Sequence, residues 1–245
     1  MVRLVRPRSL STYFAVLLLT SAAQAGEWQS FSGFDPADFA RTGHVFNGGP
    51  GVDGIPAMTN PGIVGAERAD FLVDSDVVMG VYMNGIARAY SQALGWHHEI
   101  VNDVIGGQDI SVTFCPLTGT ALNFNATCDD GVPYELGVSG LLMNSNLIIY
   151  DRRDFETLIP QMIYTAFAGP GVGNELELLP LVETTWGLWK QMYPDTEVAV
   201  PGTGLEFYPE RQRARYEDIA RYQSYPYRDY RTSESLIFPV TTESA

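Results

Sequence analysis

The sequence predicts a mainly β protein, an antiparallel meander forming a sandwich or barrel-like sheet with a few short helices. Three observations carry this. Between residues 77 and 153 the chain breaks into short β-branched and aromatic runs, each bounded by Gly, Asn or Asp. Two of the boundaries, Asn84-Gly85 and Gly106-Gly107, are residue pairs that suit tight hairpin turns. The runs follow one another closely, as in sandwiches and barrels of consecutive hairpins.

The elements follow in chain order. Residues 1–25 read as a secretory signal peptide: Arg3, Arg6 and Arg8, a short apolar core from Tyr13 to Ala22, and the small-x-small end Ala23-Gln24-Ala25. That core is well short of the ~20 residues needed to span a bilayer. No later stretch is long and apolar enough either, so the mature chain is expected to be exported, periplasmic or extracellular, with no transmembrane segment. Residues 26–62, rich in Gly, Pro, Asp and Phe, read as an irregular arm lying on a single β-rich domain of residues 63–245. Within that domain, 77–90 and 99–114 are hairpins. Residues 120–127, 133–140 and 146–153 are further strands. In TTWGLWKQMYP (184–194), Thr184 or Thr185 can cap a helix, Pro194 stops it, and Trp186, Trp189 and Met192 are expected on one face. After residue 208 the chain is polar and aromatic, including YQSYPYRDYR (222–231), and ends with a late strand in LIFPV (236–240).

Composition narrows the function. Loss of the three leader arginines takes the formal net charge from −14 to −17. A chain so acidic does not bind nucleic acid through its overall field. It favours cationic partners or metal ions, though most of the acidity is a solvated surface. Hydrophobic content of 45% supports a core, and two cysteines are too few for a disulfide scaffold. No Gly-rich phosphate loop, HExxH, CxxC or GxSxG motif is present. The sequon at Asn125-Ala126-Thr127 carries little weight, since such tripeptides arise by chance.

The chemistry-bearing stretch is SVTFCPLTGT (111–120), where a strand ends in a thiol and turns at once through Pro116 and Gly119. Ordered blocks around it resemble the DUF3179 family, exported prokaryotic proteins of unknown function. The blocks are DGIPAMTNP (53–61), ARAYSQALGWHHEIVND (87–103), FCPLTGT (114–120), GVSGLLMNSNLIIYD (137–151), AGP (168–170) and TTWGLWKQMYPDT (184–196). The resemblance marks His98, Glu99, Asn102, Asp103 and Cys115 to Thr120. It implies that His97 stands where the family usually has tryptophan, and Thr118 where many members have a second cysteine.

Cys115 has three readings. It is a small buried hydrophobe, it bridges Cys128, or it is a reactive thiol. If strands 99–105 and 109–115 pair about the Gly106-Gly107 turn, His98 faces Cys115 at the open end of the hairpin. The pair then suits acyl transfer or hydrolysis with His98 as base, a copper or zinc ion with His97 or His44 as further ligand, or redox chemistry at sulfur. The candidate catalytic residues are thus Cys115 and His98, and the candidate metal ligands Cys115, His98 and His97. Candidate binding residues for an unidentified small molecule are Arg88, Tyr90, Glu99, Asn102, Thr118, Asn144, Asn146 and Asp151. Five of them have a plainer role: Asn144 and Asn146 in turn chemistry, Asp151 in a surface pair with Arg152, Arg88 and Tyr90 on an exposed strand face. The alternative function is a non-catalytic binding or cell-envelope module in which the cysteine is structural.

Overall fold

Two-residue turns organise the molecule. A computed structural model describes residues 45–128, 131–202 and 225–227. The leader, the arm as far as His44, and LIFPV lie outside these residues. Strands β4 (Val77–Met83) and β5 (Ile86–Ser91) are joined by Asn84 and Gly85, both at positive φ as a type I′ turn requires. Strands β6 (Ile100–Ile105) and β7 (Gln108–Cys115) are joined by Gly106 and Gly107 in the same way. A third such turn, Asn144-Ser145, joins β9 (Leu136–Met143) to β10 (Asn146–Asp151).

The remaining strands are β1 (Val45–Asn47), β2 (Met58–Thr59), β3 (Gly62–Gly65), β8 (Thr120–Asn125), β11 (Leu158–Pro160), β12 (Leu178–Leu179), β13 (Val182–Thr185) and β14 (Glu197–Val200). They form three sheets, ordered β1-β9-β10-β11, β12-β8-β7-β6-β2 and β13-β4-β5-β14-β3. None closes into a barrel. The expected meander holds for β4–β5, β6–β7–β8 and β9–β10, all antiparallel. It is broken where β14 pairs parallel to β5 and β2 parallel to β6. The arm is not wholly irregular: Val45–Asn47 pairs with β9.

The second sheet is covered on both faces. Alternation along β7 shows how. Ile110, Val112 and Phe114 pack with Met79, Val81 and Tyr90 of the third sheet. On the opposite face, Cys115 packs with Ile100, Phe124, Val138 and Ile149, toward the first sheet. Ser111, Thr113 and Cys115 thus form a polar stripe on that face, bonded to Asn102 of β6, to Gln161 and to Ser145 of the β9–β10 turn respectively.

Two short helices are present among the described residues. Helix α2 (Trp186–Met192) is capped as expected, the Thr185 hydroxyl accepting from Leu188 N. Trp186 and Trp189 are buried, but Met192 is exposed. Six residues at 100° each swing Met192 well off the Trp186 face, so the expected single face fails geometrically. Helix α1 (Gln92–His98) fills the stretch between the two expected hairpins, to which the sequence assigns no element. Ser91 caps it, its Oγ accepting from Leu94 N at 3.0 Å. Gly95 lies against Phe114, where an added Cβ would meet the ring at 2.8–3.0 Å. His98 therefore closes a helix rather than opening β6.

The second and third sheets are clamped by charge. Arg88 of β5 donates to Asp103 of β6 at 2.6 Å and to Glu197 of β14 at 2.6 and 2.9 Å. The Tyr90 hydroxyl donates to the same Asp103 oxygen at 2.6 Å. Arg88 and Tyr90 are buried, not on an exposed strand face. Burial and the Asp103 carboxylate raise the Tyr90 pKa well above its ordinary range, so the phenol keeps its proton. A buried ion is costly when its partner alone is removed. Arg88→Met is expected to lower stability by about 3–5 kcal/mol in urea denaturation, and Arg88→Met/Asp103→Leu to recover much of that loss.

Candidate functional site

The β6–β7 register is the one expected, pairing Ile100 with Thr113 through Ile105 with Gln108. It extends one residue further, because Phe114 N donates to Glu99 O at 2.6 Å. There the chain leaves the strand. Glu99 has φ 58 and ψ −31, and its N–H closes α1 on Gly95 O. A glutamate at positive φ is uncommon and is held only where its surroundings fix it. This bend sets the buried Glu99 carboxyl near the thiol, close enough that its charge raises the Cys115 pKa.

The thiol itself is deeply placed, with Cys115 1% exposed. The turn after it is closed by Gly119 N donating to Cys115 O at 2.8 Å, with Gly119 at φ 65. Hydrogen bonds from the Thr118 hydroxyl and from the backbone of Thr118 and Leu147 favour the thiolate. Burial outweighs them and pushes the pKa up, so the resting group is the neutral thiol, its S–H directed to Ser145 O at 3.7 Å. Of these groups Thr118 belongs to the turn and Leu147 to the β9–β10 ribbon, which the sequence alone does not bring to Cys115.

Asn146 completes that side. Its Nδ2 donates to Thr118 Oγ1 at 3.0 Å and to Gln161 Oε1 at 2.8 Å. Gln161 Nε2 in turn donates to Thr113 Oγ1 and to Thr120 O. From the far end of the chain, Tyr225 donates to Pro116 O at 2.8 Å and Tyr227 to Glu99 Oε1 at 2.9 Å. Tyr225 also meets Trp96 of α1 edge-on at 5.5 Å. Sequence reasoning passed over Gln161, Tyr225 and Tyr227. Gln161 sits in an apolar run with no motif around it. The tyrosines had only their clustering in YQSYPYRDYR as a signal.

The other expected residues lie elsewhere. His98 is buried, and its Nδ1 lies 2.7 Å from Pro56 O. A carbonyl only accepts, so Nδ1 carries the proton and the ring is held as the tautomer with an unprotonated Nε2. Burial lowers its pKa to about 4, the Pro56 bond opposing and His97 reinforcing that shift. Asn102 is bonded to Ser111, Thr59 and Leu136, tying β6 to β7, β2 and β9. With Asp103, Thr59, Tyr134, Glu135 and Arg152 it lines a cavity of about 410 Å³. Asn144 is an exposed turn residue at φ 49. Asp151 pairs with Arg153 at 2.7 Å, not with Arg152. Arg152 reaches Asp53 at 2.7 Å and Glu135 at 3.1 Å, because adjacent strand residues point to opposite faces.

No disulfide joins the two cysteines; Cys128 lies half-buried with Arg153 Nη1 at 3.0 Å from its sulfur. Among the described residues no group of three or more His, Cys, Asp or Glu side chains is arranged to hold a metal ion. Cys115, His98 and His97 are thus not gathered as a three-ligand set, since Cys115 points to the β9–β10 ribbon and His98 to Pro56. No helix among the described residues is long and apolar enough to cross a membrane.

Glu99 and His98 make opposite contributions to pH-dependent stability. Burial raises the Glu99 pKa from 4.5 to about 7, against the Tyr227 bond. Between these values the unfolded chain has lost a proton that the folded chain keeps, so stability falls as pH rises. His98, lowered from 6.5 to about 4, is charged only in the unfolded chain between those values, so there stability rises with pH. The two slopes oppose each other across the shared window. Glu99→Gln removes one of them. In urea denaturation across a pH series, the variant is expected to gain stability from pH 4 to 6.5 more steeply than the parent. Above pH 7 it is expected to exceed the parent by about 3 kcal/mol.

No curated protein and no solved structure matches this chain. Residues 52–245, which include every residue of the thiol site, match the family described as protein of unknown function, DUF3179, and the chain belongs to that family.

Proposed function

We propose that this chain is an exported, thiol-dependent acyl-transfer or hydrolytic enzyme in which Cys115 is the nucleophile and Glu99 the proton acceptor. The observation that supports it most is the surrounding of the sulfur. The hydroxyl and amide of Thr118 and the amide of Leu147 all favour the Cys115 thiolate, while burial and the Glu99 carboxyl, held at positive φ, oppose it. Such donors stabilise a developing anion, as in sites that attack carbonyl carbon. With a pKa of about 7, Glu99 exchanges protons near neutrality.

The step runs as follows. Cys115 Sγ attacks the carbonyl carbon of an acyl compound, its proton passing to the Glu99 carboxylate. The leaving group takes that proton as it departs, and water then releases the acyl group as a carboxylic acid and regenerates the thiol. His98 supports this arrangement from the last position of α1, its ring held by Pro56 next to the Glu99 bend. Tyr225 and Tyr227 cover the site, bonding to Pro116 and Glu99 on either side of the thiol turn. Export rests on the leader at residues 1–25.

A second reading is favoured by the packing of Cys115 with Ile100, Phe124 and Leu147. In it the chain is a non-catalytic binding or envelope module with an inert cysteine. p-Nitrophenyl acetate separates the two. The enzyme releases about one p-nitrophenolate per chain in a burst that Cys115→Ser abolishes and Glu99→Gln slows. A burst that survives Cys115→Ser overturns the assignment. Tyr225→Phe/Tyr227→Phe removes both bonds of the cover and is expected to speed alkylation of Cys115 several-fold, read by peptide mass spectrometry. An inert thiol reacts only after unfolding in both proteins. Elemental analysis of protein purified without chelator tests the copper or zinc alternative directly.

A further inference from the structure

Resting on the thiol reading, we infer that the substrate of the Cys115 site is a carboxamide, whose N–H is received by Asn146 Oδ1. The orientation of two side-chain amides fixes this acceptor. Gln161 lies 3.1 Å from the carbonyl of Thr120, and a carbonyl only accepts, so that end of Gln161 is its nitrogen. Its other end is then oxygen, and it faces Asn146 at 2.8 Å. The Asn146 atom that meets it is therefore nitrogen, and the same atom donates to Thr118 Oγ1. Asn146 cannot turn over without setting two oxygens against each other.

Its oxygen is left as an acceptor that is buried and receives no hydrogen bond. The whole residue is only 4% exposed. Leaving such a group unsatisfied costs ~1–3 kcal/mol, so a donor from outside the chain is called for. The position ties that donor to the thiol. Asn146 lies between Ser145, whose carbonyl accepts from the thiol, and Leu147, which packs in the same buried cluster as Cys115. Its nitrogen and the sulfur share the Thr118 hydroxyl.

A carboxamide supplies what these groups lack. Its carbonyl carbon is the electrophile, its oxygen suits the amides of Thr118 and Leu147, and its nitrogen carries the donor for Asn146. A carboxylate would face the Glu99 charge and an oxygen acceptor, and an ester has no N–H. The reaction balances as the amide and the thiol giving a thioester and ammonia or an amine. Glu99 carries the thiol proton to the leaving nitrogen, and water then converts the thioester to carboxylic acid and thiol.

The test uses the full chain and three small alkylating probes: iodoacetamide, methyl iodoacetate and iodoacetate. Alkylation of Cys115 is followed by peptide mass spectrometry, and each rate is divided by the rate for the same probe on the urea-unfolded chain. Native protein is expected to favour iodoacetamide over methyl iodoacetate roughly five- to tenfold after this correction, as one hydrogen bond provides, and to react least with iodoacetate. Asn146→Leu is expected to remove the preference, the corrected rates for iodoacetamide and methyl iodoacetate becoming equal, whatever their absolute values. Independently of any variant, acetamide is expected to protect native Cys115 where methyl acetate does not. Equal corrected rates for amide and ester in the native chain, with Cys115 still reactive, overturn the carboxamide inference alone and leave Asn146 Oδ1 to a water molecule. A native Cys115 inert to all three probes, with the acetate burst also absent, overturns the thiol reading and this inference with it.

Discussion

The site depends on a single hydrogen bond between backbone groups, from Phe114 N to Glu99 O at 2.6 Å. It extends the β6–β7 ladder one residue past the last regular pair, and it does so where the other strand has already begun to turn. Glu99 pays for the overlap with a positive φ. In return, one residue ends a helix, begins a ribbon and brings a carboxyl into a protein interior. Together with the Gly95–Phe114 contact, that bond holds α1 against β7 and so places both the acid and the Trp96 edge that meets Tyr225.

Burial by this geometry sets the electrostatics. Sulfur and carboxyl lie close in a region that water reaches poorly, so two negative charges there repel strongly. Each group raises the cost of ionising the other, and the pair is expected to carry at most one charge near neutrality. Amides from Thr118 and Leu147 favour that charge on sulfur, and the Tyr227 hydroxyl favours it on Glu99. The position of the C-terminal tyrosine therefore bears on where the charge resides. A cover that bonds to the acid holds the thiol in its neutral form, and removal of the cover shifts the balance toward sulfur.

The hairpins were legible because two-residue turns leave a strong local mark. Asn84-Gly85 and Gly106-Gly107 each need two positive φ angles, and few residues accept them. The ribbon register followed from turn position alone. Helix α1 was hidden because its apolar residues are few and its seven residues lie between two strong strands. Its Ser91 cap was a usable signal, as the same logic at Thr185 located α2. The exposed-face alternative for Arg88 and Tyr90 failed because a strand's sequence does not say which sheet will cover its polar face. Asp103, the partner that makes their burial tolerable, belongs to a different sheet. Asn146 beside Thr118, and Tyr227 on Glu99, are contacts over 28 and 128 positions, which no local pattern encodes.

The polar stripe on β7 links scaffold to site. Ser111 bonds to Asn102, Thr113 receives Gln161, and Cys115 bonds to Ser145, three successive residues on one face of one strand. The first is a saturated structural contact, since the Asn102 amide is engaged at both ends with Leu136. The second orients Gln161, which orients Asn146. The third is the thiol. Polar satisfaction is complete at the Asn102 end and stops one acceptor short at Asn146 Oδ1. A buried network usually closes on itself, because each open member costs about as much as a lost hydrogen bond. Among the described residues Asn123 Oδ1 of β8 is a second buried acceptor that receives no hydrogen bond, so an open acceptor alone does not make a receptor. Asn146 Oδ1 differs in belonging to a residue bonded to the turn that follows the thiol, which distinguishes this turn from a strand end that is merely well packed.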